Sequence, residues 1–289
     1  MTMIPSLKQQ LVHPDIVLAP GIYDALGALL AQEAGFSTLY LSGASIAYSK
    51  FASPDIGLVS MNEVAATISS IKERINLPLI VDADTGFGNA MNVARTVRLF
   101  ERYGANAIQL EDQELPKRCG HLDGKRLVSG DEMSGKIKAA TDAREDVNTL
   151  IIARTDAIAV EGFESALERV YHYYEAGADI LFIEAPTSLE QMKTINSRFA
   201  SKVPLLANMV EGGKTPFMSS EELQKLGYSL VIFPGGLARS FAFMARQYFN
   251  VLKREGSTES FQNMMLDFKE LNSLLGTEKI LEKGKSYQL

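Results

Sequence analysis

The sequence predicts a single (β/α)8 barrel domain over residues 1–289, with a C-terminal helical extension at about 240–289. Three observations predict it. Short β-branched or apolar runs alternate with helical patterns until eight strands have been spelled out, which signals a parallel sheet and, at eight, closure into a barrel. Several of the intervening helices end on the same device, a glycine at Gly35, Gly104, Gly177 and Gly227. Glycine there supplies the left-handed residue that stops a helix before the next strand. Polar or glycine-rich residues then follow most of the strands directly, where a barrel assembles its active site. An open doubly wound sheet is the structural alternative.

In chain order the strands are read at 16–19, 38–41, 77–81, 106–110, 149–153, 179–183, 203–207 and 229–233, with helices such as 23–34, 90–103, 162–176 and 219–226 between them. Helical pattern resumes near Ser129 after a long polar stretch. Beyond Arg239 the sequence predicts a helix over 240–254, another over 259–275 with a hydrophobic stripe, and a polar tail over 276–289.

Composition excludes several classes. A hydrophobic content of 46% and a charged content of 22% suit a globular chain with a large core. A net charge of −6 without a basic block leaves no electrostatic footprint for nucleic acid. One cysteine rules out an internal disulfide and fits a reducing compartment. No N-terminal run resembles a secretory signal, and no segment reaches the roughly 18 apolar residues of a membrane helix. A cytoplasmic protein is expected.

The chemistry is expected to centre on Glu111-Asp112-Gln113-Glu114-Leu115-Pro116-Lys117-Arg118-Cys119-Gly120-His121, a stretch read as too polar to pack as core. Cys119 lies between Arg118 and Gly120-His121, and flanking cations are expected to lower its thiol pKa. A long polar loop of this kind reads as a lid. Asp82 and Asp84 are two apart, so on an extended strand end both point to one face. Such a pair suits Mg²⁺, with Mn²⁺ as substitute, because a hard cation takes one or two carboxylates and keeps waters or substrate oxygens for the rest. Glu111, on the next strand end, could join that site directly or through water. The three histidines, His13, His121 and His172, form no zinc cluster with Cys119. Gly86-Phe87-Gly88-Asn89 lacks the lysine of a phosphate-binding loop and reads as a turn that positions the carboxylates. Ser42-Gly43-Ala44 offers N–H groups to a carboxylate, Arg154 offers a bidentate fork, and 211–216 is a further polar loop at the mouth.

Together these residues resemble the isocitrate lyase/phosphoenolpyruvate mutase superfamily. The resemblance lies in Asp82-Ala83-Asp84-Thr85-Gly86-Phe87-Gly88-Asn89, Glu111-Asp112-Gln113, Lys117-Arg118-Cys119-Gly120-His121, Ala153-Arg154-Thr155-Asp156 and Asn208-Met209-Val210-Glu211-Gly212-Gly213-Lys214-Thr215-Pro216, and it covers roughly residues 19–253. It implies a (β/α)8 barrel whose last helix is swapped between subunits of a homotetramer. It also implies that Asp82 and Asp84 are the Mg²⁺-site acids, with Asp55 and Glu111 as outer or water-mediated partners. Tyr40, Ser42, Gly43 and Ala44 resemble the pocket for an α-keto acid. Arg154, Glu184, Asn208 and Arg239 resemble substrate contacts, and Lys117, Arg118, Cys119, Gly120 and His121 resemble the gating loop.

The implied activity is a Mg²⁺-dependent retro-aldol cleavage of a 2-hydroxy di- or tricarboxylate, of the methylisocitrate or 2,3-dimethylmalate type, to pyruvate or a related keto acid plus a carboxylate. Cys119 would protonate the carbanion of the leaving half, while Tyr40 and a metal-bound water are candidates to take the hydroxyl proton. Phosphoenolpyruvate mutases typically lack this loop cysteine, which favours a lyase. The run from Pro116 to Leu127 also resembles carboxyvinyl-carboxyphosphonate phosphorylmutase, so phosphorus–carbon chemistry is the alternative, with oxaloacetate decarboxylation beside it. Methylisocitrate lyases usually carry Glu-Phe-Gly where this chain has Glu211-Gly212-Gly213, a departure that favours a smaller diacid such as a methylated malate.

Overall fold

The computed structural model describes residues 4–287. In the first of two compact units, Met1–Ala238, eight strands close into an all-parallel barrel in sequence order: β1 Val17–Ile22, β2 Leu39–Leu41, β3 Leu79–Asp82, β4 Ala107–Glu111, β5 Leu150–Thr155, β6 Ile180–Ile183, β7 Leu205–Asn208 and β8 Leu230–Phe233. Closure is made by β1 on β8, with Val17 opposite Leu230 and Pro20 opposite Phe233. The barrel, not the open sheet, is the fold. The helices α1 Leu7–Val12, α2 Ala25–Glu33, α3 Gly43–Phe51, α4 Met61–Lys72, α5 Ala90–Arg102, α6 Gly130–Ala143, α7 Phe163–Glu175, α8 Leu189–Phe199 and α9 Ser220–Leu226 belong to this unit. The four glycines after α2, α5, α7 and α9 have φ of +89° to +108°, as their place in the sequence predicts.

Two apolar layers hold the barrel. Inside lie Val17, Ala19, Tyr40, Ile80, Ala107, Leu150, Ile152, Ile180, Phe182, Leu206, Leu230 and Ile232, with Leu7 of α1 among them. Their strand neighbours Leu39, Leu41, Leu79, Val81, Ile108, Ile151, Leu181, Leu205 and Val231 point outward into the helix layer. Side chains alternate along a strand, so counting two residues on from each inward residue gives the next inward one. Tyr40 leads to Ser42, Ile80 to Asp82, Ala107 to Gln109 and Glu111, Ile152 to Arg154, Phe182 to Glu184, and Leu206 to Asn208. The apolar interior therefore gives way to a polar mouth at the C-terminal ends of the strands.

The second unit, Arg239–Leu289, is helical. α10, Gly236–Glu255, runs into it and is followed by a 3-10 turn at Glu259–Met264, α11 Phe268–Leu275 and α12 Thr277–Lys285. The single helix expected over 259–275 is broken, because Met265 is extended and Asp267 starts a new helix with a capping box to Glu270. The expected polar tail is helical over Thr277–Lys285, entered through Gly276 at φ +72°; Gln288 and Leu289 lie outside the described residues. Phe241, Phe243, Phe249, Phe268, Ile280 and Leu281 are exposed. Among the described residues no helix is long and apolar enough to cross a membrane.

Candidate active site

At the mouth, β3 ends in Asp82, whose Oδ1 accepts from the Asp84 amide at 3.2 Å and from Gln109 Nε2 at 3.3 Å. Asp84 is not on an extended strand: its φ is +47°, in a turn continued by Gly86 at +81° and Phe87 at +61°. The expectation that strand alternation aligns the two carboxylates is therefore corrected. A strained turn, of the kind that persists where the surroundings over-determine it, brings them together. Both carboxylates face Gly43, whose N–H donates to Asp82 Oδ2 at 3.3 Å at the start of α3; a β-carbon on Gly43 would stand 3.2 Å from that oxygen and 3.6 Å from Asp84 Oδ1. Ser42 caps α3 by accepting from the Ser45 amide at 3.2 Å, and Ala44 follows in the first turn.

Lys117 reaches this cluster. Its Nζ donates to Asp55 Oδ1 at 2.5 Å and lies 2.7 Å from Asp84 Oδ1, with the lysine side chain only 3% exposed. Burial works against the ammonium, but Asp84, Glu111, Asp55 and Asp82 outweigh it and hold Lys117 charged. Burial pushes the Asp84 carboxyl up to about 7, with Lys117 opposing and Asp82 and Asp55 reinforcing the shift. Glu111 is likewise raised, first by burial, and its Oε1 is buried without a hydrogen-bond partner, while Oε2 lies 3.4 Å from Arg154.

Opposite, Arg154 at the end of β5 directs its fork at Asp156, Nε to Oδ2 at 2.9 Å and Nη2 to Oδ1 at 3.1 Å, and stacks over Phe182 at 5.2 Å. The expected free bidentate fork is thus engaged internally, and its remaining edges face Glu111 and Glu184. Glu184 accepts from Asn208 Nδ2 at 3.1 Å and lies 3.2 Å from His121 Nε2. Asn208 Oδ1 is buried without a partner. His121 Nδ1 accepts from the Lys214 amide at 3.2 Å, so the proton belongs on Nε2, and burial lowers the pKa and keeps the ring neutral. Tyr40 is buried and donates to Gln109 Oε1 at 3.1 Å. Burial, then Asp82, raise its pKa well above the usual phenol value, so it is a poor acceptor for a hydroxyl proton.

The loop after β4 needs two corrections. Lys117, Gly120 and Lys125 are buried, as are Glu111, Asp112 and Gln113, so this stretch does pack, as a charge-compensated layer instead of an apolar one. The Cys119 thiol is raised, not lowered: burial dominates over the His121 amide and Arg154, and Asp55 and Glu184 add to the rise. Arg118, expected to contact substrate, is exposed and donates to the Asp123 carbonyl at 2.9 Å. Arg239 lies on α10 in the second unit. Sequence reasoning missed Asp156, Gln109 and Lys125 as site residues. Asp156 was legible as an acid two residues after Arg154 at a strand end, whereas Gln109 was hidden in a run read as apolar.

The donor set fits a hard divalent cation. Asp55, Asp82, Asp84, Glu111, Asp156 and Glu184 outnumber Lys117, Lys125 and Arg154 in the buried mouth, and Glu111 Oε1 is left unpaired. Among the described residues no group of three or more His, Cys, Asp or Glu side chains is preformed around one point. Two carboxylates completed by water and substrate oxygens need no such group.

A barrel mouth of paired carboxylates under a loop bearing a protonated thiol defines an enzyme of acid–base chemistry on small anions. The phosphoenolpyruvate phosphomutase family model matches residues 7–252, and the chain belongs to the phosphoenolpyruvate mutase/isocitrate lyase superfamily. It is 43% identical over 287 residues to the 2,3-dimethylmalate lyase of Eubacterium barkeri, covering 99% of each chain. To the 2-methylisocitrate lyase of Aeropyrum pernix it is 48% identical over 270 residues, 93% of this chain and 86% of that one. The crystal structure of a 2,3-dimethylmalate lyase superimposes with a TM-score of 0.89 at 36% identity, covering 96% of this chain and 92% of that one. A phosphonopyruvate hydrolase in complex with oxalate and Mg²⁺ gives 0.88 at 31% identity, covering 98% of each.

Proposed function

We propose that the chain is a carbon–carbon lyase that splits a small 2-hydroxy dicarboxylate of the methylated malate type into pyruvate or a related keto acid and a carboxylate. The observation that carries this reading is Cys119: a half-buried thiol, held protonated, in a loop whose Gly120 sits directly against Arg154 and Glu184. Asp82 and Asp84, with Asp55 and Glu111 around them, would hold the divalent cation. Bound there, Mg²⁺ or Mn²⁺ would supply Lewis-acid stabilisation for negative charge building on substrate oxygens.

The chain's own residues do the rest. Arg154, through the edges of its fork that Asp156 leaves, Asn208 and the Ala44 amide at the start of α3 orient the substrate carboxylates. The hydroxyl proton passes to one of the excess carboxylates of the mouth as the carbonyl of the keto acid forms and the carbon–carbon bond breaks, and the electron pair stays on the carbon beside the leaving carboxylate. Cys119 gives that carbon its S–H proton, and the closed loop keeps water from doing so first. Tyr40 enters protonated, so its part is to orient through its hydroxyl.

The exposed apolar residues of α10–α12 support a homotetramer built through those helices, and the single cysteine supports a cytoplasmic setting. The test is pyruvate release, coupled to NADH oxidation by lactate dehydrogenase, from 2,3-dimethylmalate, 2-methylisocitrate, citramalate and oxaloacetate. Release from a methylated malate that EDTA abolishes and Mg²⁺ restores is the expected result. Release from oxaloacetate alone would indicate a decarboxylase, and silence across the panel would favour phosphorus–carbon chemistry.

A further inference from the structure

Lys125 stands between Gly124 and Arg126, both exposed, yet its own side chain is 1% exposed. It turns inward beneath the loop, where Nζ donates to the Gly120 carbonyl and to Asp156 Oδ1 at 3.0 Å. Asp156 is the carboxylate that holds both Nε and Nη2 of Arg154, and its amide donates to Asp112 Oδ1 at 3.0 Å. Asp112 is fixed in turn by Thr155 Oγ1 at 2.6 Å and Tyr173 OH at 2.8 Å. Lys125 is thus one end of a buried path from α7 through Asp112 and Asp156 to the backbone of the Cys119 loop. The loop has two further charged links: before Cys119, Lys117 is buried against Asp55 and Asp84, and beyond it Lys214 Nζ to Asp123 Oδ1 is solvated, with the Asp123 side chain 91% exposed. Charge-assisted bonds out of water hold geometry far better than exposed pairs do.

We infer that Lys125 is a positioning residue: it latches the Cys119-Gly120-His121 segment onto Asp156, so that the loop closes only over a correctly oriented Arg154. An ammonium buried for fold stability alone would need a carboxylate partner, but not the carbonyl of the residue next to the proton donor. The inference rests on the lyase reading for its kinetic consequence, not for its structural one.

The chain has one cysteine, so alkylation by N-ethylmaleimide reports loop opening at Cys119 alone. In the Mg²⁺-loaded enzyme, Lys125→Met should raise the alkylation rate by about tenfold or more, as expected for a local opening made easier. It should lower kcat by at least about tenfold with KM within about threefold, the pattern of an interaction needed after binding. Lys125→Arg, which keeps the charge and can reach both acceptors, should recover most of both. If Lys125→Met does not fold, Lys125→Gln takes its place in the same assay. Alkylation of the folded variant at the wild-type rate would overturn the latch. Faster alkylation without lyase activity in the wild type would leave the latch standing and sink the proposed function instead.

Discussion

In the proposed reaction Cys119 acts through where it is buried, not through its neighbours in sequence. Arg118 and Lys117 flank it, yet one turns to the Asp123 carbonyl and the other is consumed by Asp55 and Asp84. Burial then decides, and the thiol is raised. A thiol whose folded pKa exceeds its unfolded value binds its proton more tightly in the fold. Its stabilising contribution is complete below the unfolded value and is lost as pH rises through the folded one. The alkylation rate of Cys119 should therefore inflect above the free-thiol value of about 8.5, and an inflection below it would show an activated thiolate. Arg154 is the second case where the residue's partners matter more than its type. Arg154→Lys keeps the charge but loses the two-point grip on Asp156, and kcat/KM should fall about a hundredfold with the melting temperature little changed. Retained kcat/KM would show that the fork is dispensable.

Among the elements, the strands were legible and their ends were not. Every predicted strand is present, but β3, β4, β5 and β7 run on to Asp82, Glu111, Thr155 and Asn208, beyond the apolar runs that announced them, and β1 runs on through Pro20-Gly21 to Ile22. The reason is physical: at the mouth the inward side chains are polar and compensate one another, so hydrophobic pattern stops before the hydrogen-bonded ladder does. The loop after β4 misled for the same reason, since its lysines are buried by pairing. Glu111 and Asp82 were legible as candidates from their places at strand ends, and Cys119 from the long polar loop that carries it. The partnership of Lys117 with Asp55 was not, because it spans 62 residues. Two substitutions test these elements. Ile152→Ala, in the inner layer at 0% exposure, should lower unfolding free energy by about 2–5 kcal/mol in urea titration. Gly120→Ala would set a β-carbon 2.5 Å from Arg154 Nη2 and 2.7 Å from Glu184 Cγ. The loop would stand off the mouth, and kcat should fall at least about tenfold while urea stability stays near wild type.

For the whole molecule, a barrel that is apolar up to Ile80, Ile152, Phe182 and Leu206 and polar two residues later confines its chemistry to one end. On the proposed reading the excess of carboxylates there would repel an anionic substrate without a divalent cation, so EDTA-treated enzyme should neither turn over nor bind pyruvate in calorimetry, and Mg²⁺ should restore both. Similarity to 2,3-dimethylmalate lyase over 99% of each chain supports the same reading at the largest scale. The central claim is that Cys119 supplies the proton that completes carbon–carbon cleavage. The most direct measurement is the kcat of Cys119→Ser on 2,3-dimethylmalate at saturating Mg²⁺, beside pyruvate binding by calorimetry. A fall in kcat of about a hundredfold or more with pyruvate affinity retained is the predicted result. Turnover within a few-fold of wild type would contradict it.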